Sequence, residues 1–134
     1  MPTDDELRAI YADTKTIAVV GASSNKEKPA YSIPRYLQKA GFRIIPVSPK
    51  GDELFGEPVR ASLGEIDEPV DVVDVFRPAE ETPGIAREAV AIGAKVLWLQ
   101  AGVASDEASE IATTAGLKVV MDTCMGATHE RLFG

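Results

Sequence analysis

Two short stretches of this 134-residue chain carry residues suited to holding a phosphate. The first runs Gly21-Ala22-Ser23-Ser24-Asn25-Lys26-Glu27-Lys28, and the second Pro46-Val47-Ser48-Pro49-Lys50-Gly51. In the first, a glycine permits a tight turn, while two hydroxyls and two ammonium groups can reach an anion. Pro29 follows where a helix can begin, since its missing N–H is lost at no cost in a first turn. A helix start offers free amides and the positive end of its dipole to whatever lies above the turn. The second stretch has a serine and a lysine and no carboxylate before Asp52. Lysine and serine suit a phosphorylated ribose, which an aspartate at that place would repel.

Both stretches depart from the dinucleotide fingerprint. G-x-G-x-x-G uses three glycines for the tight turn, the close approach of pyrophosphate and helix packing. Only Gly21 is present, with Ser23 and Ser24 where further glycines belong. NAD sites also place an acidic residue after the second strand to accept the ribose hydroxyls, and none stands there. These residues ask for a nucleotide with a ribose phosphate, either NADP or coenzyme A.

The elements that position the two stretches follow from apolar patterning. Ile17–Val20, Phe42–Val47, Val70–Phe76, Lys95–Leu99 and Leu117–Met121 are nearly continuous apolar runs, expected of strands buried on both faces. Helical spacing separates them. Thr3–Asp13 carries a capping box, Thr3 with Glu6, and an apolar face of Leu7, Ile10 and Tyr11. Pro29–Ala40 repeats Ile33, Tyr36, Leu37 and Ala40 before Gly41, with Pro34 tolerated if the helix begins near Ile33. Ala79–Ile92 precedes Gly93. Another helix is capped by Ser105, packs Ala108, Ile111, Ala112 and Ala115, and stops at Gly116. Phe55–Val59 reads as a brief edge strand or extended loop, Ser62–Ile66 as one turn capped by Ser62, and Thr128–Leu132 as a short helix. Asp74 falls mid-strand, and its burial would be expensive, so it is expected at an edge or on a loop amide.

Alternating strands and helices predict an α/β fold: a doubly wound, mainly parallel five-stranded sheet with helices on both faces. Residues 1–134 read as one domain. Ligands of such sheets bind outside the carboxyl ends of the strands. Those ends are Gly21–Ser24, Ser48–Lys50, Phe76–Pro78, Gln100–Gly102 and Asp122–Met125. The net charge of −7 disfavours nucleic acid and anionic membrane surfaces as partners. One cysteine, Cys124, allows no internal disulfide and fits a reducing compartment. With no apolar leader after Met1, the expected location is the cytoplasm.

In order and spacing the chain resembles the small stand-alone coenzyme A-binding proteins, similar to the nucleotide-binding, Rossmann-like domain of the succinyl-CoA synthetase α subunit. The resemblance rests on Ile17-Ala18-Val19-Val20-Gly21-Ala22-Ser23, Lys28-Pro29 with Tyr31, and Tyr36-Leu37 before Gly41. It continues through Ile45-Pro46-Val47 with Pro49-Lys50, Asp74-Val75-Phe76-Arg77, Trp98-Leu99-Gln100, and Met121-Asp122 with Cys124. It implies coenzyme A lying across the carboxyl edge of the sheet, turned around Gly21. Ala22, Ser23, Ser24 and Lys28 would hold the phosphates. Val47, Ser48 and Lys50 would surround the adenosine end, and Phe76, Arg77 and Pro78 would line the other side. Thr123 stands before the cysteine where the family more often has a basic residue.

No catalytic set is expected. His129 lies five residues after Cys124 with no third group to orient the pair, and one histidine with one cysteine cannot complete a zinc site. The expected function is therefore binding of coenzyme A or an acyl-CoA without catalysis, a protein partner being possible. The alternative is a small NADP-binding oxidoreductase or an accessory subunit of an acyl-CoA ligase. Near the pantetheine end, Cys124 would be placed to form a mixed disulfide with coenzyme A.

Overall fold

A computed structural model describes the whole chain, Met1–Gly134. Helix α1 (Asp4–Asp13) begins with the expected capping box: Glu6 N–H donates to the Thr3 hydroxyl and Thr3 N–H to the Glu6 carboxylate, each at 3.1 Å. Strand β1 (Thr16–Val20) then leads into α2 (Pro29–Lys39) and β2 (Arg43–Val47). Two-residue strands β3 (Glu53–Leu54) and β4 (Glu57–Pro58) pair as an antiparallel hairpin. Beyond a 3₁₀ turn at Leu63–Glu65 come β5 (Val72–Val75), α3 (Thr82–Ala91) and β6 (Val96–Leu99). The chain closes with α4 (Asp106–Thr114), β7 (Lys118–Val120) and α5 (Met125–Phe133).

The five long strands form one parallel sheet in the order β2-β1-β5-β6-β7. This is the doubly wound α/β fold that the apolar runs predict, with the order reversing between β1 and β5. Alternation along each strand sends side chains to two separate cores. Ala18, Val73, Val75, Leu97 and Leu99 meet Ala86 and Ala89 of α3 and Ala108 and Ala112 of α4. Ile17, Val19, Ile44, Val72 and Trp98 meet Leu7 and Tyr11 of α1, Leu37 of α2 and Met125 of α5. Helices thus cover both faces of the sheet and leave the strand ends uncovered. No helix is long and apolar enough to cross a membrane.

Several local expectations are corrected. Helix α2 starts at Pro29 with Lys28 as its cap, so Pro34 lies inside it rather than in its first turn. The edge segment around Phe55–Val59 is a hairpin, turned by left-handed backbone at Phe55 (φ 58°) and Gly56 (φ 75°). Ser62 precedes its 3₁₀ turn without a side-chain cap, although Leu63 is buried as expected. Ala115 is exposed at the end of α4, and the last helix begins at Met125, three residues earlier than Thr128. Ser105 does cap α4, accepting from Ala108 N–H at 3.1 Å.

The largest correction is Asp74. It lies at no edge: it sits fully buried in the central strand β5, between Val19 and Trp98 in register. Gln100 donates its amide to one carboxylate oxygen, and the other oxygen has no partner. Burial raises its pKa to about 7. Between the ordinary value of 3.8 and about 7, the unfolded chain has released this proton and the folded chain has kept it. The Asp74 contribution to stability therefore falls as pH rises through that window. In urea unfolding at pH 4.5, 6 and 8, Asp74→Asn is expected to gain on the wild type steadily up to about pH 7 and no further.

Candidate functional site

At the carboxyl edge, β1 and β5 leave the sheet side by side. Gly21 ends β1 with φ +86°, and a Cβ there would come within 2.8 Å of both the Phe76 carbonyl oxygen and Arg77 Cδ. Glycine is required twice over, for left-handed backbone and for the close approach of the two exit loops. After it the chain opens into the polar loop. Ser23 N–H donates to the Ala30 carbonyl at 3.2 Å, and its hydroxyl accepts from Asn25 N–H at 3.0 Å. The amides of Ala22 and Ser24 find no acceptor within the chain. Unpaired backbone donors beside a buried strand end are what an anionic ligand would satisfy.

Two hollows flank this edge. A cleft of about 750 Å³ is lined by Gly21, Ala22, Ser23, Ser24, Lys28, Val47, Ser48, Lys50 and Arg77 among others. A second hollow, of about 470 Å³, is lined by Phe76 and Pro78 with Ile33, Val103, Gln100 and Cys124. Lys28 and Arg77 belong to both. All eleven residues singled out from the sequence therefore lie on one continuous edge, the two cations at its junction.

The cleft also has walls that strand-end reasoning missed. The β3–β4 hairpin contributes Glu53 and Leu54, the following segment Ala61, Ser62 and Leu63, and α3 contributes Ile85 and Glu88. The hairpin stays close because Arg43 bridges Glu57 and Glu68, Arg60 also reaches Glu57, and Phe55 packs on Tyr31 with ring centroids 5.4 Å apart. Only the acidic and basic residues spread over Arg43–Glu68 hinted at this in the sequence, and their pairing is not readable from spacing.

At the junction one of the two cations already has an acidic partner. The Arg77 guanidinium forms a two-point ion pair with Glu81, Nε to Oε1 at 3.1 Å and Nη2 to Oε2 at 2.6 Å. That hydrogen-bonded pair raises the arginine pKa and lowers the glutamate one. Both side chains are roughly half exposed, so the pair is screened and readily exchanged for another anion.

Cys124 and His129 have separate surroundings. Cys124 caps α5, its sulfur accepting from Ala127 N–H at 3.4 Å, and faces the smaller hollow. His129 Nδ1 is 2.9 Å from the Tyr36 hydroxyl, and its ring is packed among Tyr11, Phe42 and Phe133. Burial lowers its pKa.

Residues 15–130 match the family model described as a CoA binding domain. The chain belongs to the CoA-binding domain family. It is 39% identical to the uncharacterized protein YneT of Bacillus subtilis, across 96% of this chain and 95% of that one. It is 27% identical to an ADP-forming acetate–CoA ligase of Methanocaldococcus jannaschii, across 96% of this chain but only 19% of the ligase. Its fold matches the structure of cell-free ID.343 from Thermus thermophilus with a TM-score of 0.94 at 43% identity, over 98% of this chain and all of that one.

Two outcomes follow from the geometry. Gly21→Ala is expected to lose about 2–4 kcal/mol of stability in urea unfolding, from left-handed strain and the backbone clash together. Glu81→Gln should leave Arg77 free for an added anion, which a binding titration would register as affinity about threefold tighter at low salt and converging at high salt.

Proposed function

We propose that this chain is a single binding domain, residues 1–134, that takes coenzyme A or an acyl-CoA along the carboxyl edge of its sheet and performs no chemistry on it. The observation that carries this reading is the meeting of two hollows of different character at Lys28 and Arg77. Coenzyme A has the matching division: a highly charged nucleotide at one end, a less polar arm at the other, and a pyrophosphate between them. In this reading Gly21, Ala22, Ser23, Ser24 and Lys28 hold the pyrophosphate. Val47, Ser48 and Lys50 surround the phosphorylated adenosine, and Phe76, Arg77 and Pro78 guide the arm towards Cys124.

The absence of an acidic residue at the end of β2 supports a ribose phosphate over a free ribose. The surroundings of His129 support binding over catalysis, because its one polar contact is spent on Tyr36 inside an aromatic cluster. An acidic surface disfavours nucleic acid and anionic membranes. The single cysteine fits a cytoplasmic home. A binding domain of this kind is also suited to work beside a protein partner, since the acetate–CoA ligase carries a similar region within a longer chain.

Thermal shift of the purified protein with CoA, dephospho-CoA, acetyl-CoA, NAD and NADP tests the reading, since a ligand that binds only the folded state raises the melting point. A clear shift with CoA, smaller with dephospho-CoA, is expected. A shift with NADP alone would move the protein to the oxidoreductase class, and no shift with any nucleotide would remove the binding function. Lys50→Ala should weaken CoA binding about three- to tenfold by calorimetry and leave dephospho-CoA nearly unchanged, because the exposed ammonium acts only on the ribose phosphate. Equal losses for the two ligands would strip Lys50 of that role.

A further inference from the structure

Pro34 is the sixth residue of α2, a position where an ordinary residue would donate its N–H to the Ala30 carbonyl four residues back. Proline has no such N–H. The Ala30 carbonyl instead accepts the N–H of Ser23, at 3.2 Å, from the loop that follows β1. That loop carries the unpaired amides of Ala22 and Ser24 beside the cleft. The link between loop and helix therefore uses an acceptor that α2 would otherwise occupy itself. We infer that Pro34 is a positioning residue for the ligand site: by leaving the Ala30 carbonyl to Ser23, it holds the β1–α2 loop in the shape that presents the Ala22 and Ser24 amides.

The alternative role for Pro34 is packing alone, since its ring is buried. Packing and positioning are separable. Any residue with an N–H at position 34 brings a rival donor, already aligned with the Ala30 carbonyl by the turns around it. The loop amide, tethered less tightly, is displaced or forced to share. A pure packing role predicts lower stability with the Ser23 amide and the ligand site untouched. The same helix holds an internal control: Pro29, at its first position, frees no intrahelical carbonyl.

The inference rests on coenzyme A being the ligand, and the experiment keeps the two apart. Amide hydrogen exchange at Ser23 and CoA affinity by calorimetry are measured on the full chain for the wild type, Pro34→Ala and Pro34→Val. The valine keeps bulk at the buried site. Both variants are expected to speed Ser23 exchange by about tenfold or more and to weaken CoA binding about three- to tenfold, while Pro29→Ala leaves Ser23 exchange at the wild-type rate. Wild-type exchange at Ser23 in a folded Pro34 variant would overturn the inference. So would faster exchange with unchanged CoA affinity in a chain that binds CoA. A wild-type chain that fails to bind CoA would overturn the ligand reading beneath it.

Discussion

The carboxyl edge of this protein is organised by the narrow gap between the ends of β1 and β5. The two strands are neighbours in the sheet, yet the chain leaves them in opposite directions: α2 returns to β2 on one side, and α3 leads to β6 on the other. Their exit loops must diverge, and a crevice opens where they part. At the root of that crevice Gly21 lies so close to Phe76 and Arg77 that no side chain fits. This contact sets the distance between the polar β1–α2 loop and the Phe76-Arg77-Pro78 segment. It therefore sets where the two hollows meet.

Beneath the smaller hollow, polar pins hold the apolar core in register. Asp74 binds the Gln100 side-chain amide, whose Oε1 accepts the N–H of Met125 at 3.4 Å, so the end of β6 and the start of α5 hang from β5. Nearby, Trp98 Nε1 donates to the Thr123 carbonyl at 2.8 Å and the Tyr11 hydroxyl to the Met125 carbonyl at 2.7 Å. Each bond joins a buried donor to a loop or helix end, where apolar packing alone would leave the chain free to slide. The result fixes the segment that carries Cys124. A buried carboxyl is an expensive pin, and its raised pKa shows how the molecule limits the expense, by keeping the proton over much of the acidic range.

The larger cleft depends on surface charge in a different way. The Arg43, Glu57, Glu68 and Arg60 cluster draws the hairpin against β2, and the hairpin becomes a wall. Networks of this kind gain over isolated surface pairs because each side chain is already restrained by another partner. Within the cleft, Lys28 and Lys50 remain exposed, whereas Arg77 is held by Glu81. The site is thus pre-formed in its backbone and only partly committed in its charges, an arrangement suited to an anion arriving from solvent.

Much of this was legible in the sequence. Short, continuous, β-branched apolar runs fit strands buried on both faces, and their spacing with helical segments admits a parallel, doubly wound sheet. The capping box at Thr3, the Ser105 cap and the positive-φ turn at Gly21 are local events among neighbours a few residues apart. So is the absence of an acid after β2, where NAD sites place one. What only the tertiary structure decided are pairings between distant segments. Asp74 is buried because β5 lies between β1 and β6, an order no local pattern encodes. Its amide partner comes from 26 residues away. Pro34 sits inside α2, and the Ala30 carbonyl that it leaves free is taken by Ser23, eleven residues upstream of the proline. The hairpin forms a wall through ion pairs formed around Arg43. Local sequence fixes propensity and the apolar pattern. The identity of the partner that satisfies a buried polar group depends on strand order, which emerges only when the whole sheet has closed.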